Sequence, residues 1–340
     1  ETSRKWFRKT DLEACSSSRC QEYCEGAAVH SFFERIMFLL AAAFNAASLQ
    51  HHSVTLEGVR NFRLVSPSLP GLYRSAELEQ ATAADAAWLL DAAQIRTVID
   101  FRNKDEIKKA HERSTVFGRK LIRAFDTRAP VGCGCVASRG SGTLTRWSVP
   151  LLANVDGFFD EVAAQMSTAR KAEALLYKSF NGRKYDQLLY DEVARGKQTL
   201  LYTAMLRSAG VDTWCRALSL AANRRNGAVL IHCAQGKDRT GMVAALLQHA
   251  AGDSEDEIAQ AYGLSQSLLD EQVGDCINLS NEPRRDGGVD WSALRGSPEH
   301  AMRDTIKWLR KEYGAIDNFL ASTGCAEEWR QTLMSGVPTF

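Results

Sequence analysis

The stretch that decides the fold runs from Gly227 to His249, GAVLIHCAQGKDRTGMVAALLQH. Residues Gly227 to Ile231 form a short apolar run ending at His232, the pattern of a strand buried on both faces. Gly241 to His249 carries a helical pattern. Between them lies His232-Cys233-Ala234-Gln235-Gly236-Lys237-Asp238-Arg239-Thr240-Gly241. A loop that leaves a strand and enters a helix N-terminus can aim successive backbone N–H groups at one point, which makes an anion cradle. Gly236 allows the tight turn that such a loop needs. The cradle and a nearby guanidinium would favour the thiolate form of Cys233. They would also hold the equatorial oxygens of a phosphoryl group, where a transfer transition state carries charge. Ala234, Gln235, Gly236, Lys237, Asp238 and Arg239 are therefore the candidate phosphate-binding residues. Arg239 can curl back and match two phosphate oxygens with its planar fork. Thr240 is placed to donate its hydroxyl to the sulfur. A buried strand-end cysteine and a surface arginine are the plain alternatives, but nucleophile, cradle and cation are here specified together.

Working upstream, Gly71 to Ser75 (GLYRS) follows a Pro/Ser turn and reads as a short strand. Thr82 precedes an alanine-rich helical pattern and, with Asp85, resembles a capping box. Ile95 to Arg102 (IRTVIDFR) reads as a buried strand, and Leu121 to Phe125 as a weaker one. Residues 126–150 hold Cys133, Cys135 and several glycines and read as a long loop or insert, the kind that often acts as a lid. Amphipathic helical patterns follow over about 154–194 and 199–222. Downstream, Ser254 and Glu257 spell a capping box for a helix at about 255–269. A Pro/Arg/Gly-rich loop over 282–297 leads to a last helical segment near Pro298, with Met302, Ile306, Leu309 and Tyr313 on one face. Strands interleaved with helices predict an α/β fold, a mainly parallel central sheet flanked by helices.

The 340 residues are 45% hydrophobic and 24% charged, ordinary for a globular chain, and long enough to bury a large core. A formal net charge of +1 gives no reason to expect nucleic acid as a partner. Nine cysteines, odd in number and thinly spread, argue against a disulfide framework and for a reducing, cytoplasmic setting. Cys15, Cys20 and Cys24 match the usual zinc spacings poorly, so no metal site is expected. Residues 1–56 read as an extension carrying one apolar run, Ile36 to Leu49. Its 14 residues are short for a membrane span, which favours a docking helix over membrane contact or the remnant of a targeting segment. The chain opens on Glu1 rather than Met, so its first residues do not speak to targeting.

The loop signature resembles that of the protein tyrosine phosphatase superfamily, and more narrowly the bacterial-type tyrosine/lipid phosphatases. Asn61-Phe62-Arg63, Gly71-Leu72-Tyr73-Arg74-Ser75 and Val98-Ile99-Asp100-Phe101-Arg102 support the narrower match, as do Glu255 to Ser265 and Tyr313-Gly314-Ala315. After Asn-Phe-Arg the family usually continues with an aspartate and glycines, whereas Leu64-Val65-Ser66 stand here. The resemblance covers roughly 57–335, a catalytic domain with a helical insert at about 126–200, and implies a tyrosine phosphatase-like fold. It implies a cofactor-free, two-step reaction through a cysteinyl-phosphate on Cys233. Two aspartates can supply the leaving-group proton: Asp238, at a loop position used by such phosphatases and by the myotubularins, and Asp126, where tyrosine phosphatases often carry a mobile acid. Asp238 is favoured and Asp126 stays open. A lipid phosphatase of the superfamily has a lysine where Lys237 stands, so Lys237 is expected as a cation at the cradle rim, making phosphoinositides substrates beside phosphotyrosine and phosphoserine/threonine proteins. His232 is expected to orient the loop, and Asp100 and Arg102 to brace the site or to be a plain ion pair. A phosphate-reading pseudophosphatase and a rhodanese-like sulfurtransferase are the alternative functions. Oligomeric state is not indicated.

Overall fold

The computed structural model describes residues 54–125, 137–138, 143–270 and 294–335. The apolar run at 36–49, the cysteines at 15, 20 and 24, Cys133, Cys135 and Asp126 lie outside the described residues. A sheet of six strands runs in the order β1-β2-β6-β3-β5-β4. These are β1 (Arg63–Leu64), β2 (Leu72–Ser75), β3 (Ile95–Asp100), β4 (Ala137–Ser138), β5 (Thr143–Ser148) and β6 (Ala228–His232). β2, β6, β3 and β5 pair in parallel, while β1 and β4 pair antiparallel at the two edges.

Every residue of β6 is buried. Val229 and Ile231 face one core cluster, Ala228 and Leu230 the other, the two-residue alternation of a strand covered on both sides. The first cluster joins β6 to α6 (Gly182–Ser208), α7 (Val211–Ala222), α8 (Asp238–Ala250), α9 (Glu255–Asp270), α10 (Glu299–Tyr313), α11 (Ile316–Ser322) and α12 (Ala326–Ser335). On the other face lie α1 (Ala83–Ala87), continued by a π-helical turn at Trp88–Ala92, and α3 (Val116–Ala124). α2 (Lys104–Glu112) follows β3. The predicted caps form: Thr82 Oγ1 accepts from Asp85 N, and Ser254 and Glu257 bond reciprocally. Met302, Ile306 and Leu309 of α10 are buried.

Three expectations are corrected. Leu121 to Phe125 is not a strand; Leu121 and Ile122 belong to α3, whose Thr115 cap accepts from Gly118 N. The buried residues Gly118, Leu121, Ile122 and Phe125 recur at helical spacing. The loop or insert expected at 126–150 contains β4 and β5, and β5 is a parallel neighbour of β3. The strand carries Thr143, Thr145 and Arg146 and so lacks the apolar run of a central strand. Cys215 and Cys325 form a disulfide, 110 residues apart in sequence, whereas reduced cysteines were expected. The pairing is long-range and leaves no local spacing to read.

The helical excursion has its own core. α4 (Val155–Ala164), α5 (Thr168–Phe180) and α6 pack through Phe158, Val162, Met166, Ala174, Leu188, Leu189 and Val193.

Candidate active site

β6 ends at His232 and α8 begins at Asp238, so the loop between them sits at the carboxyl edge of the central strand. Sites in open α/β sheets gather at this edge. Cys233 is a free cysteine, 2% exposed. Gly236 has φ +65°, and a Cβ there would lie 2.1 Å from Ser75 O, so glycine is required twice over.

Three loop carbonyls are held by the scaffold. Glu77 N donates to Ala234 O at 3.1 Å, Asn61 Nδ2 to Gln235 O at 2.8 Å, and Arg74 Nη2 to Gly236 O at 2.7 Å. In a trans peptide the C=O and the following N–H point in opposite directions. Anchoring these carbonyls outward turns the N–H groups of Gln235, Gly236 and Lys237 the other way. Among the described residues those three N–H groups have no acceptor. Amides so arranged can receive an anion.

Arg74 supports the loop from within the protein and is 1% exposed. Burial lowers its guanidinium to about 10, opposed by Cys233, Tyr262, Tyr202 and Asp238. It remains a cation at neutral pH beneath the cradle. Asn61, in the left-handed region at φ 56°, is itself held by Arg63 Nη1, whose other nitrogen reaches Ala261 O at 3.0 Å and Ser265 Oγ at 2.8 Å. The Asn-Phe-Arg signature thus ties the loop to α9. The signature made these residues visible, but neither Asn61 nor Arg74 was assigned a site role from sequence.

Arg239 makes a two-pronged pair with Glu106, both contacts 2.6 Å. Burial works against the Arg239 charge, but Glu106 and Cys233 outweigh it and raise its pKa above the ordinary arginine value. Burial likewise opposes the Glu106 carboxylate, and the Arg239 hydrogen bonds reverse that and hold it below the usual range. Glu106 also accepts from Asn103 N at 2.9 Å, closing the N-terminal capping box of α2. Sequence reading missed Glu106, although the Asn103/Glu106 spacing is itself a capping signal. Thr240 is fully buried, and its Oγ1 has no hydrogen-bond partner among the described residues.

Asp238 Oδ1 accepts from the Tyr202 hydroxyl at 2.6 Å, and Tyr202 lies 2.6 Å from the Tyr262 hydroxyl. With Tyr202 donating to the aspartate, Tyr262 is the donor to Tyr202. Burial and the Asp238 charge push the Tyr202 phenol well above its ordinary value, so it stays a donor. Neither tyrosine was picked out from the sequence; they come from α6 and α9, far apart along the chain.

Lys237, expected as a cation at the cradle rim, is buried. Its side chain is 2% exposed, and Nζ donates to Leu294 O at 2.6 Å, Arg295 O at 3.1 Å and Gly296 O at 3.1 Å. A strongly hydrated ammonium leaves water only for such a set of acceptors.

His232 Nδ1 lies 3.2 Å from Cys233 O, and its Nε2 3.7 Å from Asp100 Oδ2. Burial lowers the imidazole to about 4 despite the Asp100 charge, so it is neutral at pH 7. Asp100 pairs with Arg102 and Arg146, and Arg102 continues to Glu79 and Glu77. Burial disfavours the Asp100 carboxylate, but His232, Arg102 and Arg146 together hold it well below the usual range, the permanently charged arginines being the lasting cause. Asp100 and Arg102 thus form part of a buried ion-pair network at the strand end beside His232.

Fold and site together define a class: an α/β protein in which a strand-to-helix loop offers one cysteine, a ring of amides and an arginine six residues on. The chain belongs to the tyrosine phosphatase family, whose sequence model matches residues 54–336. It is also 31% identical over 121 residues to a tyrosine-protein phosphatase from Nostoc commune, a match covering 33% of this chain and 40% of the relative. The chain thus spans about 40% of that relative's length.

Proposed function

We propose that the protein is a cysteine-dependent phosphatase that hydrolyses phosphomonoesters, with phosphotyrosine in proteins as its substrate. The outward anchoring of the three successive carbonyls that follow Cys233 carries this reading, because it leaves the amides free for a dianion. In the first step the Cys233 sulfur attacks phosphorus and the bond to the ester oxygen breaks. Asp238 gives the leaving oxygen its proton. In the second step Asp238 takes a proton from water, which displaces the sulfur and releases inorganic phosphate. Arg239 exchanges its Glu106 partner for two phosphoryl oxygens, and the unpartnered Thr240 hydroxyl steadies the departing sulfur.

Family membership and the name of the Nostoc relative, a tyrosine-protein phosphatase, support phosphotyrosine. The phosphoinositide reading leaned on a rim cation, and the burial of Lys237 under three carbonyls weakens it. The test is release of phosphate from a phosphotyrosyl peptide and from para-nitrophenyl phosphate, with Cys233→Ser as control. Wild-type release that the variant abolishes supports the proposal. Binding of phosphopeptide without release would instead identify a phosphate-reading module, and sulfur transfer from thiosulfate a sulfurtransferase. Faster turnover of a phosphoinositide panel than of peptides would overturn the choice of substrate.

A further inference from the structure

α5 has two apolar faces, and the fold uses only one. Ala174 packs into the core of the helical excursion. Leu175, Leu176 and Phe180 point away from it and are 69%, 56% and 83% exposed. Three of the nine strongly exposed large apolar residues among the described residues thus fall within six positions. Isolated exposed leucines are ordinary, but a cluster on one helix marks an interaction surface.

The charges around this cluster select its partner. Lys171, Lys178, Arg183 and Lys184 are exposed beside it, and no carboxylate occurs between Ala174 and Tyr185. Lys178 lies 5.5 Å from the Tyr185 ring and Lys184 5.4 Å from the Tyr177 ring, so two cations and two amphipathic rings share the α5–α6 turn. Arg170, by contrast, is already paired with Glu173 and Glu192. Long cationic stems lying on aromatic rings beside exposed Leu and Phe suit a boundary between water and hydrocarbon. Among the described residues no helix is long and apolar enough to cross a membrane. A helix of this kind lies in the surface plane instead.

We propose that the tip of the α5–α6 hairpin docks on an anionic lipid surface, with Leu175, Leu176 and Phe180 entering the interface and Lys171, Lys178, Arg183 and Lys184 meeting acidic headgroups. The inference does not depend on the catalytic reading, since none of these residues belongs to the loop site. The test is cosedimentation of the full chain with vesicles of phosphatidylcholine alone and of phosphatidylcholine containing phosphatidylserine. Wild type should bind the anionic vesicles and release them as salt is raised. Leu176→Ser with Phe180→Ser should reduce partitioning more than tenfold, given the transfer free energy of such side chains. Lys178→Glu and Lys184→Glu should each lower it by roughly fivefold or more. Unchanged melting curves for the variants would show that only the surface was altered. Equal binding to neutral vesicles, or unchanged binding by the Leu176/Phe180 variant, would overturn the proposal. So would failure to bind the anionic vesicles, and a dimer that the same variant dissociates would then show that the face joins two copies of the chain.

Discussion

Two arginine–carboxylate assemblies stand at the carboxyl edge of the sheet, and they differ in what they leave available. At the end of β3, Arg102 is enclosed by Asp100, Glu77 and Glu79, with Arg146 also on Asp100. Its side chain is 1% exposed, and the carboxylates around it are almost as buried. At the start of α8, Arg239 has one carboxylate partner, Glu106, which is 36% exposed. A closed assembly of buried charges braces the backbone and is costly to open. A cation with one partly solvated partner can change partners when a better dianion arrives. The contrast separates the bracing arginine from the one proposed to bind phosphate, although both follow buried strands and both look alike in the sequence.

The largest expected effect breaks this contrast on the catalytic side. Arg239→Lys keeps the charge but loses the fork, and kcat/KM toward a phosphotyrosyl peptide should fall by about 10²–10³-fold with little change in melting temperature. Arg102→Met should do the reverse in kind. It strands Glu79 as an uncompensated buried charge, leaves Asp100 to Arg146 alone, and should cost about 3–5 kcal/mol of stability, read by urea unfolding. If Arg102→Met folds as wild type does and fails only in turnover, the division of roles is wrong.

A smaller effect should follow Tyr202→Phe, which removes one hydrogen bond to Asp238 and leaves the ring in place. Turnover should fall by about tenfold, the worth of one such bond to a charged group, and more for phenyl phosphate than for para-nitrophenyl phosphate. The better leaving group needs less help from an acid, so equal losses on both substrates would detach Tyr202 from proton transfer. Asp126→Asn, measured alongside, should show no such leaving-group dependence.

The smallest effect concerns pH. His232 titrates near 6.5 when unfolded and near 4 in the fold, because burial disfavours its charge. The unfolded chain therefore binds the extra proton between those values, and this contribution to stability is full above about 6.5 and declines as pH falls toward 4. His232→Gln should flatten that part of a stability-versus-pH curve measured by denaturant. An unchanged slope would mean that other groups set it.

Much of the site was legible because its chemistry is local. Cys233, Gly236, Arg239 and Thr240 lie within one strand-to-helix connection, and the apolar periodicity on either side predicts those elements. β3, β6, α9 and α10 were readable for the same reason. Reading failed where a residue's role depends on a distant neighbour. Lys237 looks like a free cation until the carbonyls at 294–296 arrive beside it, and β5 looks like loop until β3 supplies its hydrogen bonds. α3 is a different failure, since five apolar-rich residues fit either period and only the longer spacing from Gly118 decides.

From sequence alone came the α/β class, the cysteine-to-arginine loop and its resemblance to a phosphatase family, since strand period, helix period and loop spacing are properties of neighbours along the chain. Tertiary structure alone decided which arginine is enclosed and which is partly open, that Tyr202, backed by Tyr262, addresses Asp238, that Lys237 faces inward, and which face of α5 stays bare. Desolvation and hydrogen bonding depend on atoms brought together by folding, often a hundred residues apart, and no one-dimensional pattern records them.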